Sequence, residues 1–67
     1  MQPHEIRSAL VLAQLKPQEI AWKFRKSAAL VHHVINGVRK NQQIREEISN
    51  AIGKPIAEIW PDQQDAA

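Results

Sequence analysis

The chain has 67 residues, 43% of them hydrophobic, and a formal net charge of +2. This length supports one domain with a single core and leaves no room for a nucleotide-binding α/β unit or a second active-site lobe, so most enzyme architectures are excluded. Cysteine is absent, which excludes a disulfide framework, a thiolate metal site and a cysteine nucleophile and suits a reducing cytoplasm. No apolar run approaches the roughly 20 residues needed to cross a bilayer. We therefore expect a cytoplasmic, non-enzymatic protein with no membrane partner, in which residues 1–67 form a single domain.

The first two predicted elements are helices that begin at prolines. Pro3 is acceptable in the first turn of a helix, and Ile6, Ala9, Leu10 and Ala13 then share one apolar stripe at three- and four-residue steps. Pro17 fits the first position of a second helix because its missing N–H would have no intrahelical partner there. The apolar face of this short helix consists of Ile20, Ala21 and Phe24.

The third and fourth predicted helices each have a capping residue before them and a glycine after them. Ser27 and Asn41 can each accept a hydrogen bond from an unpaired N–H of the first turn, and Gly37 and Gly53 can take the positive φ that ends a helix. The inward residues are Leu30, Val31, Val34 and Ile35 on the third helix, and Ile44, Ile48, Ala51 and Ile52 on the fourth. The outer face of the fourth helix, Arg45, Glu46 and Glu47, is expected to be solvated.

A last short helical turn can follow Pro55. In it, Ile56, Ile59 and Trp60 are expected to close the open end of the bundle before Pro61 stops the helix. Residues 62–67 are predicted to form a frayed tail. The whole pattern predicts a compact all-α domain of four or five helices.

The second and third helices, with the short break between them, have the pattern of a helix-turn-helix. Ala21 falls where two crossing helices approach closely, and Phe24, Val31 and Val34 can fill the wedge between them. The residues left outside on the third helix are short or hydrogen-bonding and include no acid: Ser27, Ala28, Ala29, His32, His33 and Asn36. Such a face can enter a DNA major groove without repelling phosphates, and the Asn36 amide offers a donor and an acceptor suited to adenine.

Positive charge is concentrated in the middle third of the chain. Residues 16–40 contain six basic residues and one acidic residue, whereas residues 41–67 contain two basic and five acidic residues. Basic side chains beside a groove-reading helix bind DNA phosphates. We expect phosphate contacts from the cations and one amide of this region: Lys16, Gln18, Lys23, Arg25, Lys26, Arg39 and Lys40.

Residues 14–21, 27–34 and 36–39 resemble the phage repressor-like (Cro/C1, XRE-type) helix-turn-helix domains. Residues 4–10 and 51–61 are similar to the Ner/Nlp subgroup of Mu-type phages and bacterial regulators, so the resemblance spans residues 2–61. It implies a five-helix, lambda-repressor-like bundle whose third helix reads the major groove. It also implies a transcriptional regulator, often a negative one.

Three positions depart from the pattern of that family. Lys16 stands where Ser or Thr would cap the second helix, Arg25 stands at the usual turn glycine, and Lys26 stands where an apolar residue is common. A left-handed Arg25 would cost roughly 1 kcal/mol. We interpret Arg25 and Lys26 as additional phosphate contacts.

Two pairs of neighbouring polar residues could suggest a metal site or an acid–base site, and helix geometry argues against both. His32 and His33 point about 100° apart on a helix and cannot chelate one ion together, so we expect no metal ion and no cofactor. Glu46 and Glu47 diverge in the same way, and no nucleophile or oxyanion donor accompanies them.

Two tryptophans have different expected positions. Trp60 is predicted to be part of the core. Trp22 lies off the inward stripe of the second helix, and three roles remain open: it covers helix one or four, lies against DNA backbone, or forms a protein contact. Val11 and Leu12 also fall partly off their stripe, so a patch with Trp22 can serve a homodimer, in solution or on DNA.

The sequence therefore predicts a sequence-specific regulator that binds double-stranded DNA and represses by occupying a promoter, with no small-molecule ligand. The alternative is a protein-interaction module on the same fold, antitoxin-like or adaptor-like, that binds through Trp22 and its neighbours. Steep salt dependence of binding is expected only of the DNA binder.

Overall fold

The computed structural model describes residues 1–61, which form five helices: α1 (Pro3–Leu12), α2 (Pro17–Phe24), α3 (Ala28–Ile35), α4 (Gln42–Ile52) and α5 (Ile56–Ile59). The predicted all-α fold is therefore confirmed. The tail predicted for residues 62–67 lies outside the described residues. Within residues 1–61, every helix is too short or too polar to cross a bilayer.

All five helices contribute to one hydrophobic core. Its buried members are Ile6, Leu10, Ile20, Ala21, Val31, Val34, Ile35, Ile44, Ile48, Ile59 and Trp60. The helix α4 contacts each of the other four, and α2 packs most extensively on α3. The inward stripes predicted from helical periodicity are thus largely confirmed, with Trp60 closing the bundle as expected. Ala13 is a correction, because α1 ends at Leu12 and Ala13 is exposed.

Side-chain caps begin α3 and α4 as predicted. The Oγ of Ser27 accepts a hydrogen bond from the Leu30 N–H at 3.1 Å, and the Oδ1 of Asn41 accepts one from the Ile44 N–H at 3.1 Å. The start of α2 is held differently, because the lysine at its N-cap has no acceptor to offer. There the carboxylate of Glu19 accepts from the Lys16 N–H at 3.2 Å.

Left-handed residues end four of the helices. Gly37 (φ 82°) and Gly53 (φ 81°) do so after α3 and α4, as predicted. Gln14 (φ 60°) and Arg25 (φ 56°) do so after α1 and α2, although a side chain is strained in this region. The left-handed conformation considered for Arg25 is therefore present, and the Lys26 N–H donates to the Ala21 carbonyl at 2.8 Å to complete the turn.

The outer face predicted for α4 needs a second correction. Arg45 is only 5% exposed, and its guanidinium carbon lies 5.3 Å from the centroid of the Trp60 ring. Arg45 projects close to the direction of Ile52 on the helix, so its aliphatic stem follows the apolar stripe and its planar head stacks on the indole. Of the three residues expected to be solvated, Glu46 is exposed and Glu47 is partly buried.

Candidate nucleic-acid interface

The outward side of α3 is formed by four of the six residues predicted to contact bases. Ala29, His32, His33 and the C-cap residue Asn36 are all exposed, and at 100° per residue they fall within an arc of about 100°. Val31, Val34 and Ile35 occupy the opposite side and are buried. The sequence of α3 contains no acid, so this side carries imidazole, amide and methyl groups only.

The other two predicted base contacts, Ser27 and Ala28, lie outside this arc, in the N-cap and the first position of α3. Ala28 is half-buried. Ser27 is exposed, but its Oγ already accepts from the Leu30 N–H. The hydroxyl hydrogen of Ser27 remains a donor for a partner outside the helix.

The predicted phosphate-contacting residues are all exposed, and four of them flank α3 along the chain. Arg25 and Lys26 immediately precede the cap of α3, and Arg39 and Lys40 follow its end. The Arg39 N–H donates to the His33 carbonyl at 3.3 Å, which holds this segment against the last turn of α3. Positive side chains therefore stand at both ends of the helix.

The remaining three predicted phosphate contacts lie on α2 and at its N-cap. Lys16, Gln18 and Lys23 line a shallow groove along the outward side of α2, together with Glu19 and Trp22. The residues that line this groove all belong to α2 or to its N-cap, and none belongs to α3. The structure therefore places these three predicted phosphate contacts in a group of their own on α2.

Lys23 has a partner that its position in the sequence does not indicate. Its Nζ lies 2.9 Å from the Oε1 of Glu47 on α4, and the two side chains are 58% and 21% exposed. The ammonium group also lies 5.7 Å from the centroid of the Phe24 ring. Lys23 therefore joins α2 to α4, and part of its charge is neutralised within the protein.

Arg7 is a neighbour of the α3 surface that was not predicted from the sequence. Its Nη2 donates to the Oδ1 of Asn36 at 2.6 Å, across 29 positions of sequence. Nothing in the local pattern of α1 signals this contact, because helical periodicity places Arg7 at the edge of the buried stripe, about 60° from Leu10 and about 100° from Ile6, and does not specify a partner on another helix. The packing of α1 against α3 places it there.

The exposed tryptophan and two exposed aliphatic residues were expected to form one apolar patch. Trp22 is 67% exposed, so the role of covering helix one or four is wrong. Val11 (74% exposed) lines an apolar groove with Leu15 and Pro17, and this groove meets the Trp22 groove at Lys16. Leu12 is 85% exposed. Self-association through these residues stays a prediction.

Within residues 1–61, no group of three or more His, Asp or Glu side chains is placed to hold a metal ion. Comparison of the chain with protein-family models, with curated proteins and with solved structures gives no match. The functional interpretation therefore depends on the chain's own residues and their arrangement.

Proposed function

We propose that this protein is a sequence-specific regulator of transcription that binds double-stranded DNA with the outward side of α3. In this proposal α2 and α3 act as a helix-turn-helix. The observation that carries it is the exposed, acid-free side of α3, with Arg25 and Lys26 at one end and Arg39 and Lys40 at the other. The resemblance to Ner/Nlp-type repressor-like domains supports the same function.

The dimensions of the molecule fit one half-site of DNA. A helix with its side chains is about 10–12 Å across, which matches a major groove about 12 Å wide. The longest dimension of the described residues is 30 Å, which corresponds to about nine base pairs at 3.4 Å each. One chain thus covers about one turn of DNA, and we propose that two copies read two half-sites.

The side chains of α3 suit direct contact with base edges. The imidazoles of His32 and His33 can each donate or accept a hydrogen bond, and the methyl of Ala29 permits close approach and can contact a thymine methyl. The core residues on the other side of α3 fix its orientation.

Repression follows in the cytoplasm if the bound domain covers a promoter and excludes polymerase.

Salt-dependent binding tests this proposal. Sites are selected from random duplex DNA, and the dissociation constant is measured by fluorescence anisotropy between about 50 and 200 mM salt. Arg25→Asn with Lys26→Gln removes two charges while Asn tolerates the left-handed turn. If both side chains contact phosphates, the slope of log affinity against log salt falls by about 1.8.

Lys54→Gln is the matched control, because Lys54 is an exposed lysine beyond α4 that pairs with Glu58 at 3.4 Å. This variant should leave the slope unchanged. An unchanged slope in the Arg25 and Lys26 double variant, or affinity that is insensitive to salt in the unmodified protein, would contradict the proposed mode of binding.

The exposure of Trp22 favours a second candidate function, a protein-interaction module. An indole that is 67% exposed in a groove of α2 is a suitable anchor for a protein partner. In that case Trp22→Ala abolishes binding to the partner, whereas neutralising Arg25 and Lys26 has little effect. The DNA-binding function predicts the opposite ranking of these variants.

A further inference from the structure

The contact between Arg7 and Asn36 determines which atoms of Asn36 are available to a ligand. An arginine side chain has only hydrogen-bond donors, so the amide atom 2.6 Å from its Nη2 must be the oxygen. The Nδ2 amino group of Asn36 therefore projects away from the guanidinium. Both side chains are exposed, and the hydrogen bond with Arg7 involves only the oxygen of the amide. The two N–H groups of Asn36 take no part in it.

The pair consequently offers donors and a positive charge to anything outside the protein. The expected contact of Asn36 with adenine uses its oxygen to accept from N6 and its nitrogen to donate to N7. The oxygen retains a second lone pair, but an adenine amino group that used it would bring its hydrogens beside the guanidinium. Adenine is therefore disfavoured at this position by electrostatic repulsion.

We propose that Arg7 and Asn36 form a composite site for an acceptor-only group of DNA. Two sources have this chemistry, the O6 and N7 atoms of guanine and a backbone phosphate oxygen. Arg7 is a positioning residue for the Asn36 amide and contributes its remaining N–H groups directly. This inference rests on the proposed DNA-binding function and adds a residue of α1 to the surface formed by α3.

Three variants test the site. Asn36→Ala removes the donors, and Arg7→Ala releases the amide. Asn36→Asp retains an acceptor for Arg7 but replaces the outward donors with an oxygen. Each variant is compared with the unmodified protein by selection of sites from random DNA and by the salt slope of binding to the best site.

Asn50→Asp and Lys54→Ala are the controls, because they make the same kinds of change at exposed positions elsewhere. Circular dichroism checks that every variant is folded.

We expect Asn36→Ala to weaken binding about fivefold or more and Asn36→Asp to weaken it further, because a carboxylate repels an acceptor. Loss of a guanine from the selected sites in both Asn36→Ala and Arg7→Ala identifies the base as the partner. An equal loss of affinity for all sequences, with a salt slope lower by about 0.9 in Arg7→Ala, identifies a phosphate.

Two results would overturn the site without affecting the proposed function. One is selection of an adenine that Asn36→Ala erases and Arg7→Ala leaves in place. The other is binding by the Arg7 and Asn36 variants that matches the controls while Lys26→Gln still weakens binding. Failure of the unmodified protein to bind any duplex would instead remove both the site and the function.

Discussion

The two helix pairs α2–α3 and α4–α5 are built on the same plan with different residues at the turn. Each first helix ends at a left-handed residue followed by a lysine. In α4–α5 that residue is Gly53 (φ 81°), and Lys54 pairs with Glu58. In α2–α3 it is Arg25 (φ 56°), and Lys26 is exposed.

The two pairs also differ in the exposure of their arginines, Arg45 in α4–α5 and Arg25 in α2–α3. Arg45 of α4 is buried against Trp60, where its stem and its planar head add to the core. Arg25 is exposed, in a backbone conformation that glycine would adopt without strain. The α4–α5 pair thus uses its residues for stability, whereas α2–α3 retains a strained cation beside the exposed side of α3. The proposed DNA-binding function gives this strained cation a reason, because functional sites commonly retain residues that cost stability.

The largest expected effect comes from removing the aromatic residue that closes the α4–α5 pair. Trp60→Ala leaves a large cavity and removes the ring over which Arg45 lies, so it should cost about 3–5 kcal/mol of the free energy of unfolding. Trp22→Ala is the matched control. Its side chain is 67% exposed against 5% for Trp60, and we expect a change within about 0.5 kcal/mol. Denaturant unfolding followed by circular dichroism measures both, and a loss in Trp60→Ala no larger than the small change expected of Trp22→Ala would show that Trp60 does not stabilise this end of the bundle.

Smaller effects on the free energy of unfolding, of opposite sign, are expected from substitutions at the two turns. A Cβ at Gly53 would have no atom within 4 Å, so Gly53→Ala should cost only the conformational energy of a left-handed alanine, about 1 kcal/mol. Arg25→Gly should gain about the same amount and raise the melting temperature by roughly 4–8 °C. If the strain at Arg25 is retained for binding, this more stable variant binds DNA more weakly and its salt slope falls by about 0.9. A gain in stability with unchanged binding would remove the functional reason for the difference between the turns.

The turn residues also mark how far the sequence can predict this fold. Prolines 3, 17 and 55, the caps Ser27 and Asn41, and the two glycines act within a few residues of their own positions, so the helices they bound were predictable. Gln14 was missed because its left-handed conformation follows from the packing after α1 and has no glycine to signal it.

Contacts between distant residues account for the remaining differences. Arg45 was expected in solvent together with Glu46 and Glu47, yet it is buried against Trp60, which lies at the end of the next helix, α5. The exposed side of α3 was predictable from periodicity, but the Arg7–Asn36 contact joins residues 29 positions apart. Periodicity specifies which side of a helix faces outward and leaves open which side chain of another helix reaches it.

The smallest expected effect tests the link between the two pairs, the ion pair of Lys23 with Glu47. Because both groups are at least partly exposed, Glu47→Gln should change the free energy of unfolding by less than about 1 kcal/mol. It should nevertheless strengthen DNA binding and steepen the salt slope, since Lys23 is released and an acid is removed. Glu46→Gln removes the same charge one residue earlier on α4, from a side chain bonded to Gln42 rather than to a lysine, so it controls for net charge. If the two variants strengthen binding equally, long-range repulsion alone explains the gain. A larger gain in Glu47→Gln means that the α4–α5 pair restrains a phosphate-binding lysine of α2.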